Sequence, residues 1–192
     1  MSTPLYEEYL LVNIVPELAQ GRPDWDLPHT LKVVEYVKII TDIHSAEPSL
    51  NRDVLIISAY LHDYGYRYFL DDIIPHRPTL GGRAKEEHAL KSAEKWQEIK
   101  NHEVFNFLSE EDKDQIEHLI LVHDKVYDLQ DIDELVLMEA DTLGALGTKS
   151  QVDVTSDAYQ RYLRATQEKR ISRFITPYAK DEAERLLSEL LI

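Results

Sequence analysis

The sequence predicts an all-α protein, a single compact multi-helix bundle of about seven to nine helices. Three observations predict it. Apolar residues recur at three- and four-residue steps along most of the chain, helix-capping signatures punctuate those runs, and no credible strand pair, internal repeat or low-complexity stretch interrupts them. A chain of 192 residues also has the length of one domain, since about 150 residues already bury roughly 70% of their unfolded surface.

The elements follow in order. Leu5, Tyr9, Val12, Val15 and Leu18 form an apolar stripe that predicts a helix over 5–20, and Gly21-Arg22-Pro23-Asp24 breaks it. Leu31, Val34, Val37, Ile40 and Ile43 predict a second helix over 27–45, with Pro28 in its tolerant first turn. Asn51 caps a third that runs through Leu61 and His62 to stop near Gly65. Residues 64–83 hold Tyr64, Tyr66, Tyr68, Phe69, two prolines and Gly81-Gly82, which predicts an ordered loop with at most one short helical turn. Helix resumes over 84–100. Ser109 with Asp112 forms a capping box opening a helix to about Val126, and Asp131 with Glu134 opens another over 132–146 that Gly144 and Gly147 close. Two last helices, about 156–171 and 179–191, are separated by Pro177.

Composition excludes several classes of function. The 36 Asp and Glu outnumber the 21 Lys and Arg, leaving a formal charge of −15, which argues against an extended nucleic-acid surface because phosphate backbones are bound mainly by Lys and Arg. A small phosphorylated substrate stays open, since a bound cation reverses the local field. The absence of cysteine removes disulfides, thiolate zinc sites, iron–sulfur clusters and cysteine nucleophiles together. No apolar run approaches the roughly 20 residues that cross a bilayer, and the N-terminal "MSTPLYEEYLL" has no basic region or cleavage-like site. A cytoplasmic location is expected.

Histidine and carboxylate are thus the available transition-metal ligands, and eight histidines are present. Four places put such residues where an apolar helix is poorly suited to them: His29 in "LPHTLKVVEYV", His62-Asp63 in "AYLHDYGY", His123 in "IEHLILVHDK", and Asp141 in "LMEADTLGAL". Taken singly, each suits a hydrogen-bonded core histidine or a helix cap. Adjacent His62 and Asp63 differ, because neighbouring helical side chains diverge by about 100° and converge on one ion only where the helix ends, as it does before Gly65. A second His-Asp pair stands at 123–124.

In order and local wording, His29, His62-Asp63 and Asp141 resemble the HD-domain superfamily of metal-dependent phosphohydrolases. The resemblance covers about 25–145, with "HxxxV" from His29, "LHDxG" at 61–65 and "EADxLxAL" at 139–146. It implies an all-helical fold in which those four side chains hold a divalent metal and a bound water attacks the substrate. Helices of 150–192 are then expected to pack on this core, making 1–192 one domain. His88 and His123 resemble the extra ligands of two-metal members, with Asp63 shared between the ions. His118 competes with His123, but five residues apart on one helix they face about 140° from each other, and the resemblance favours the later one.

The resemblance leads to a hydrolase cleaving a phosphoester or phosphoanhydride of a small metabolite, a nucleotide by preference, with Asp63 and His62 at the catalytic centre. One or two ions are expected, drawn from Mn, Mg, Co, Ni, Fe or Zn. Substrate phosphate needs local cations, for which Arg77, Arg83, Lys85, Lys32 and Lys91 are candidates, with Arg22, Arg67 and His76 behind them. Two departures narrow the field: no Glu closely follows the His-Asp pair, unlike the guanosine-tetraphosphate hydrolases, and the Gly-Tyr-Pro signature of cyclic-di-nucleotide phosphodiesterases is missing. The alternatives are a di-iron oxygenase of the same superfamily and a non-catalytic metal- or nucleotide-binding regulator. No membrane partner is expected, and the oligomeric state is open.

Overall fold

Two helices whose every turn is apolar organise this molecule. A computed structural model describes residues 3–22, 24–44, 50–72, 82–148 and 154–191, with only the backbone of 71 and 72. Among them the elements are helices alone, without strands. The helices are α1 (Leu5–Asn13), α2 (Val15–Leu18), α3 (Asp26–Ile43), α4 (Arg52–Leu61), α5 (Arg83–Ile99), α6 (Glu110–Val122), α7 (Ile132–Gly147), α8 (Asp157–Lys169) and α9 (Pro177–Leu190), with 3-10 turns at Tyr64–Asp72, Glu103–Phe105 and Ile171–Arg173.

The interior pair is α4 and α7. Residues Val54 to Leu61 of α4 are all buried, as are Val136 to Gly144 of α7. A helix that is apolar on all sides must be enclosed by others. Here α3 packs on both, α6 on α4 and α5, and α9 on α7. Asn51 caps α4 by accepting from the Val54 N–H, and the Ser109–Asp112 and Asp131–Glu134 capping boxes both form.

Several expectations need correction. The run 5–20 is two helices, because Pro16 starts a new one and has no N–H to continue the first. Its buried face is Tyr6, Leu10, Ile14 and Leu18, while Leu5 and Val12 are exposed. In α3 the ends of the expected stripe, Leu31 and Ile43, are also exposed. Steps of three residues cover only about 300° and drift off a face that repeats every 3.6 residues. The sixth helix ends at Val122, four residues early, where His123 turns its ring back onto the Ile120 carbonyl. Gly144 does not close α7 but lies inside it, where a Cβ would stand 2.6 Å from Val33 Cγ2 of α3. The aromatic stretch is more helical than expected: Tyr64–Asp72 is 3-10 helix, kinked at Phe69. Pro177 begins α9 rather than lying between helices.

Candidate metal centre

Helix ends deliver most of the site. His29 lies in the first turn of α3, His62 and Asp63 follow α4, His88 lies early in α5, and His123 with Asp124 follows α6; Asp141 alone comes from a helix middle, in α7. All are buried except Asp124, which is partly open. At a helix end the backbone leaves its regular path, so His62 and Asp63 can aim at one centre.

The ring atoms show how three of the histidines are set, while the buried Nδ1 of His29 has no hydrogen-bond partner. The Nδ1–H groups of His62 and His123 donate to the carbonyls of Ala59 and Ile120, both at 2.8 Å, and that of His88 lies 3.1 Å from the Lys85 carbonyl. A carbonyl only accepts, so it holds a proton on Nδ1 and points Nε2 inward, the nitrogen that can ligate a metal once any proton on it is released. Those inward nitrogens face each other in pairs at 3.3 Å, His29 with His62 and His88 with His123. Trp25 stacks on His29, and Tyr66 stacks on His88 with ring centres 4.0 Å apart.

Two groups of three residues have ligand atoms close enough to share an ion: His29, His62 and Asp141, and Asp63, His88 and His123. Asp141 Oδ1 lies 3.1 Å from His29 Nε2 and 3.7 Å from His62 Nε2. Asp63 divides its oxygens. Its Oδ2 is 3.6 Å from the Nε2 atoms of both His29 and His62, and its Oδ1 is 3.6 Å from His88 and 3.4 Å from His123.

The electrostatics agree with that donor set. Burial pushes the Asp63 carboxyl up, but the imidazoles of His62, His123, His29 and His88 outweigh it and hold it well below the usual carboxylate range. Asp141 is held well below too, where Arg170, His29 and His62 overcome burial. Burial disfavours the proton on His62 and His123, yet Asp63, Asp124 and Asp141 win, so His62 is raised and His123 reaches about 9. Burial dominates at His88, which is lowered. The carboxylates thus draw positive charge onto the rings, the demand that a divalent cation meets. Buried nitrogen and oxygen donors, inward ring nitrogens and surplus negative charge fit such an ion.

A cleft of about 140 Å³ opens on the cluster. Its lining includes three carboxylates, Asp63, Asp124 and Asp141, and three cations, Arg22, Lys85 and Arg170. Arg22 bonds to buried Asp26, lies over the Tyr66 ring at 4.0 Å and approaches Asp63 Oδ2 at 3.4 Å. Of the cations put forward for substrate phosphate, Lys85 and Arg22 line the cleft. Lys32, Lys91 and Arg83 do not: they lie on outer helix faces and pair with Glu35, Glu94 and Glu87 of their own helices. Arg67 pairs with Glu17 and Tyr64. Arg77 and His76 lie outside the described residues. His118, half exposed, bonds to Glu134, while His123 turns inward.

Sequence reasoning assigned no role to Asp124 or Arg170. Asp124 repeats the His-Asp pairing at a helix end, which is a readable signal. Arg170 has none, because only the tertiary path of the chain brings it to Asp141.

The HD domain family model matches residues 27–146. No curated protein and no solved structure matches the chain. The HD domain suggests metal-dependent hydrolysis, and the His and Asp groups could hold the metal. No helix among the described residues is long and apolar enough to cross a membrane.

Proposed function

The chain belongs to the HD domain family, and from that premise we propose a metal-dependent phosphohydrolase that cleaves a phosphoester or phosphoanhydride of a small metabolite, a nucleotide being the favoured class. The observation that carries this reading is the division of Asp63, whose two oxygens serve opposite halves of a six-residue His/Asp cluster. His29, His62, Asp63 and Asp141 would hold one divalent cation, and Asp63, His88 and His123 a second. Cations at such ligands lower the pKa of a bound water toward neutrality and polarise a phosphoryl oxygen.

The remaining chemistry falls to the chain's own groups. The carbonyls of Ala59, Ile120 and Lys85 keep protons on the outer ring nitrogens, so the inner ones stay available. Arg22, Lys85 and Arg170 stand against the three cleft carboxylates and Asp26, the partner of Arg22, so a bound divalent cation turns the cleft positive inside a chain of charge −15. That local sign favours an anionic substrate over a neutral one. Trp25 provides an aromatic wall for a base, whereas the Tyr66 ring is covered by His88 and Arg22. The segment 154–191 contributes Arg170 to this cleft, which favours treating 1–192 as one functional unit.

The test is to identify the metal by elemental analysis, then to screen phosphate release from nucleotides and other phosphate esters with Mn, Mg, Co, Ni, Fe and Zn. We expect turnover with at least one, and Asp63→Ala to lose metal and turnover together. Full activity in Asp63→Ala overturns the site. Oxygen consumption by an iron-loaded protein without phosphate release selects the oxygenase instead.

A further inference from the structure

We propose that Arg170, delivered by the C-terminal segment beyond the family-matched region, is a substrate-binding residue that grips the phosphoryl group in the cleft. This inference rests on the phosphohydrolase reading above and names the residue that recognises its anion.

Arg170 lies 24 residues beyond the end of the match at 146. Its guanidinium nonetheless reaches both halves of the cluster. One terminal nitrogen donates to Asp141 Oδ2, the other lies 3.3 Å from Asp124 Oδ1, and Nε donates to Thr142 Oγ1 at 2.8 Å. Asp141 turns its other oxygen to His29 and His62, and Asp124 turns its own toward His88 at 3.7 Å. Arg170 is therefore joined to a carboxylate beside each group of three possible ligands.

A guanidinium carries five N–H donors in a planar fork. Those contacts account for three, which leaves one N–H on each terminal nitrogen. The side chain lines the cleft and is only 19% exposed. These remaining donors, on a rigid and partly desolvated fork, are available to the oxygens of a phosphoryl group. A counter-ion for Asp141 alone would need neither the second carboxylate nor a place in the cleft wall.

The fold also holds Arg170 in position. Glu139, two residues before Asp141 on α7, is fully buried. Its carboxylate accepts from the backbone N–H of Ile175, from that of Thr176 at 2.9 Å and from the Thr176 hydroxyl at 2.6 Å. This ties the stretch after Arg170 to the helix that carries Asp141. The Arg173 guanidinium donates to the Leu129 carbonyl as a second tie.

The experiment measures inorganic phosphate binding by titration calorimetry on the protein as purified, with metal content and melting temperature recorded for each variant. We expect Arg170→Ala to keep its metal, since removing a cation leaves Asp141 no worse as a ligand, and to lose phosphate affinity at least tenfold. Arg170→Lys, a single point charge, should recover part of that loss and none of the fork's preference for phosphate over chloride. Unchanged phosphate affinity in a folded Arg170→Ala overturns the proposal, as does a parent protein that binds no phosphate. Loss of metal with phosphate affinity retained also overturns it and makes Arg170 a support for the ligands. Failure of the hydrolase reading looks different: phosphate binds in an Arg170-dependent way while no phosphate ester is turned over.

Discussion

Replacing Gly65 with alanine should dismantle one half of the cluster and spare the other. The glycine follows Asp63 by two residues, and α5 crosses directly above it. Its N–H donates to Ser92 Oγ at 2.9 Å, and the same hydroxyl donates to the His62 carbonyl at 3.0 Å. A Cβ at position 65 would overlap the His88 carbonyl oxygen and stand 2.8 Å from both the His88 carbonyl carbon and Lys91 Cβ. Carbon atoms prefer about 3.5–4.0 Å, so α5 must retreat by roughly 1 Å. His88 rides on α5, with its Nε2 now 3.3 Å from His123 and 3.6 Å from Asp63. Metal sites tolerate about ±0.2 Å in ligand distances, so the displacement removes His88 from the set. His29 and Asp141 come from α3 and α7, which do not bear on this contact, and His62 meets α5 only through the bond its carbonyl accepts from Ser92, so its ring stays with them. We expect Gly65→Ala to lose about 1–3 kcal/mol of stability from overpacking. Metal titration followed by elemental analysis should show one equivalent retained and one lost relative to the parent. Two equivalents bound with parental affinity would refute the reasoning, whatever the melting temperature.

Two further outcomes are expected. Burial pushes the Asp133 carboxyl up to about 6, opposed by the Asn51 backbone N–H and assisted by Asp131. Because the folded pKa lies above the unfolded one, the native state holds this proton more tightly, and the associated stability is present below about pH 4 and lost as pH rises through 6. Asp133→Asn should therefore raise stability at pH 7 by roughly 1–3 kcal/mol, a gain of several degrees in melting temperature for a chain of this size. Near pH 4 the gain should vanish, and an equal gain at both pH values would contradict the assignment. Glu139→Gln exchanges a carboxylate accepting three bonds for an amide with one acceptor oxygen. It should cost roughly 1–3 kcal/mol and weaken phosphate binding through Arg170 while metal content holds. Phosphate affinity equal to the parent's would detach that latch from the cleft.

Much of the fold could be read from local signals, and the misreadings have physical causes. Asn51, Ser109 and Asp131 marked helix starts correctly because a cap is decided within four residues. Which side of α1 and α3 is buried depends on neighbours, so Leu5, Val12, Leu31 and Ile43 joined the apolar stripes and are exposed. Gly144 looked like a helix stop and lies inside α7, while Gly65 does follow the end of α4. They are places where another helix comes too close for a Cβ, a fact about α5 and α3 that no local pattern contains.

The candidate site divides the same way. Residue type and apolar setting drew attention to His29, His62, Asp63, His123 and Asp141, since such donors in a cysteine-free chain need a partner, and the resemblance to the HD superfamily added His88 and supplied the expected ligand roles. Surface cations give no such signal: Lys32, Arg83 and Lys91 are as basic as Lys85, and only packing shows which of them lines the cleft. Arg170 and Asp124 were invisible as partners because their meeting depends on a tail folding back across α7 under the hold of Glu139. The all-helical class and the donor chemistry of the candidate ligands could be read from the chain alone, because caps, periodicity and donor type are properties of a few neighbouring residues. Tertiary structure alone decided how Asp63 divides its oxygens and which cations face the cleft, because those depend on side chains brought together from distant helices.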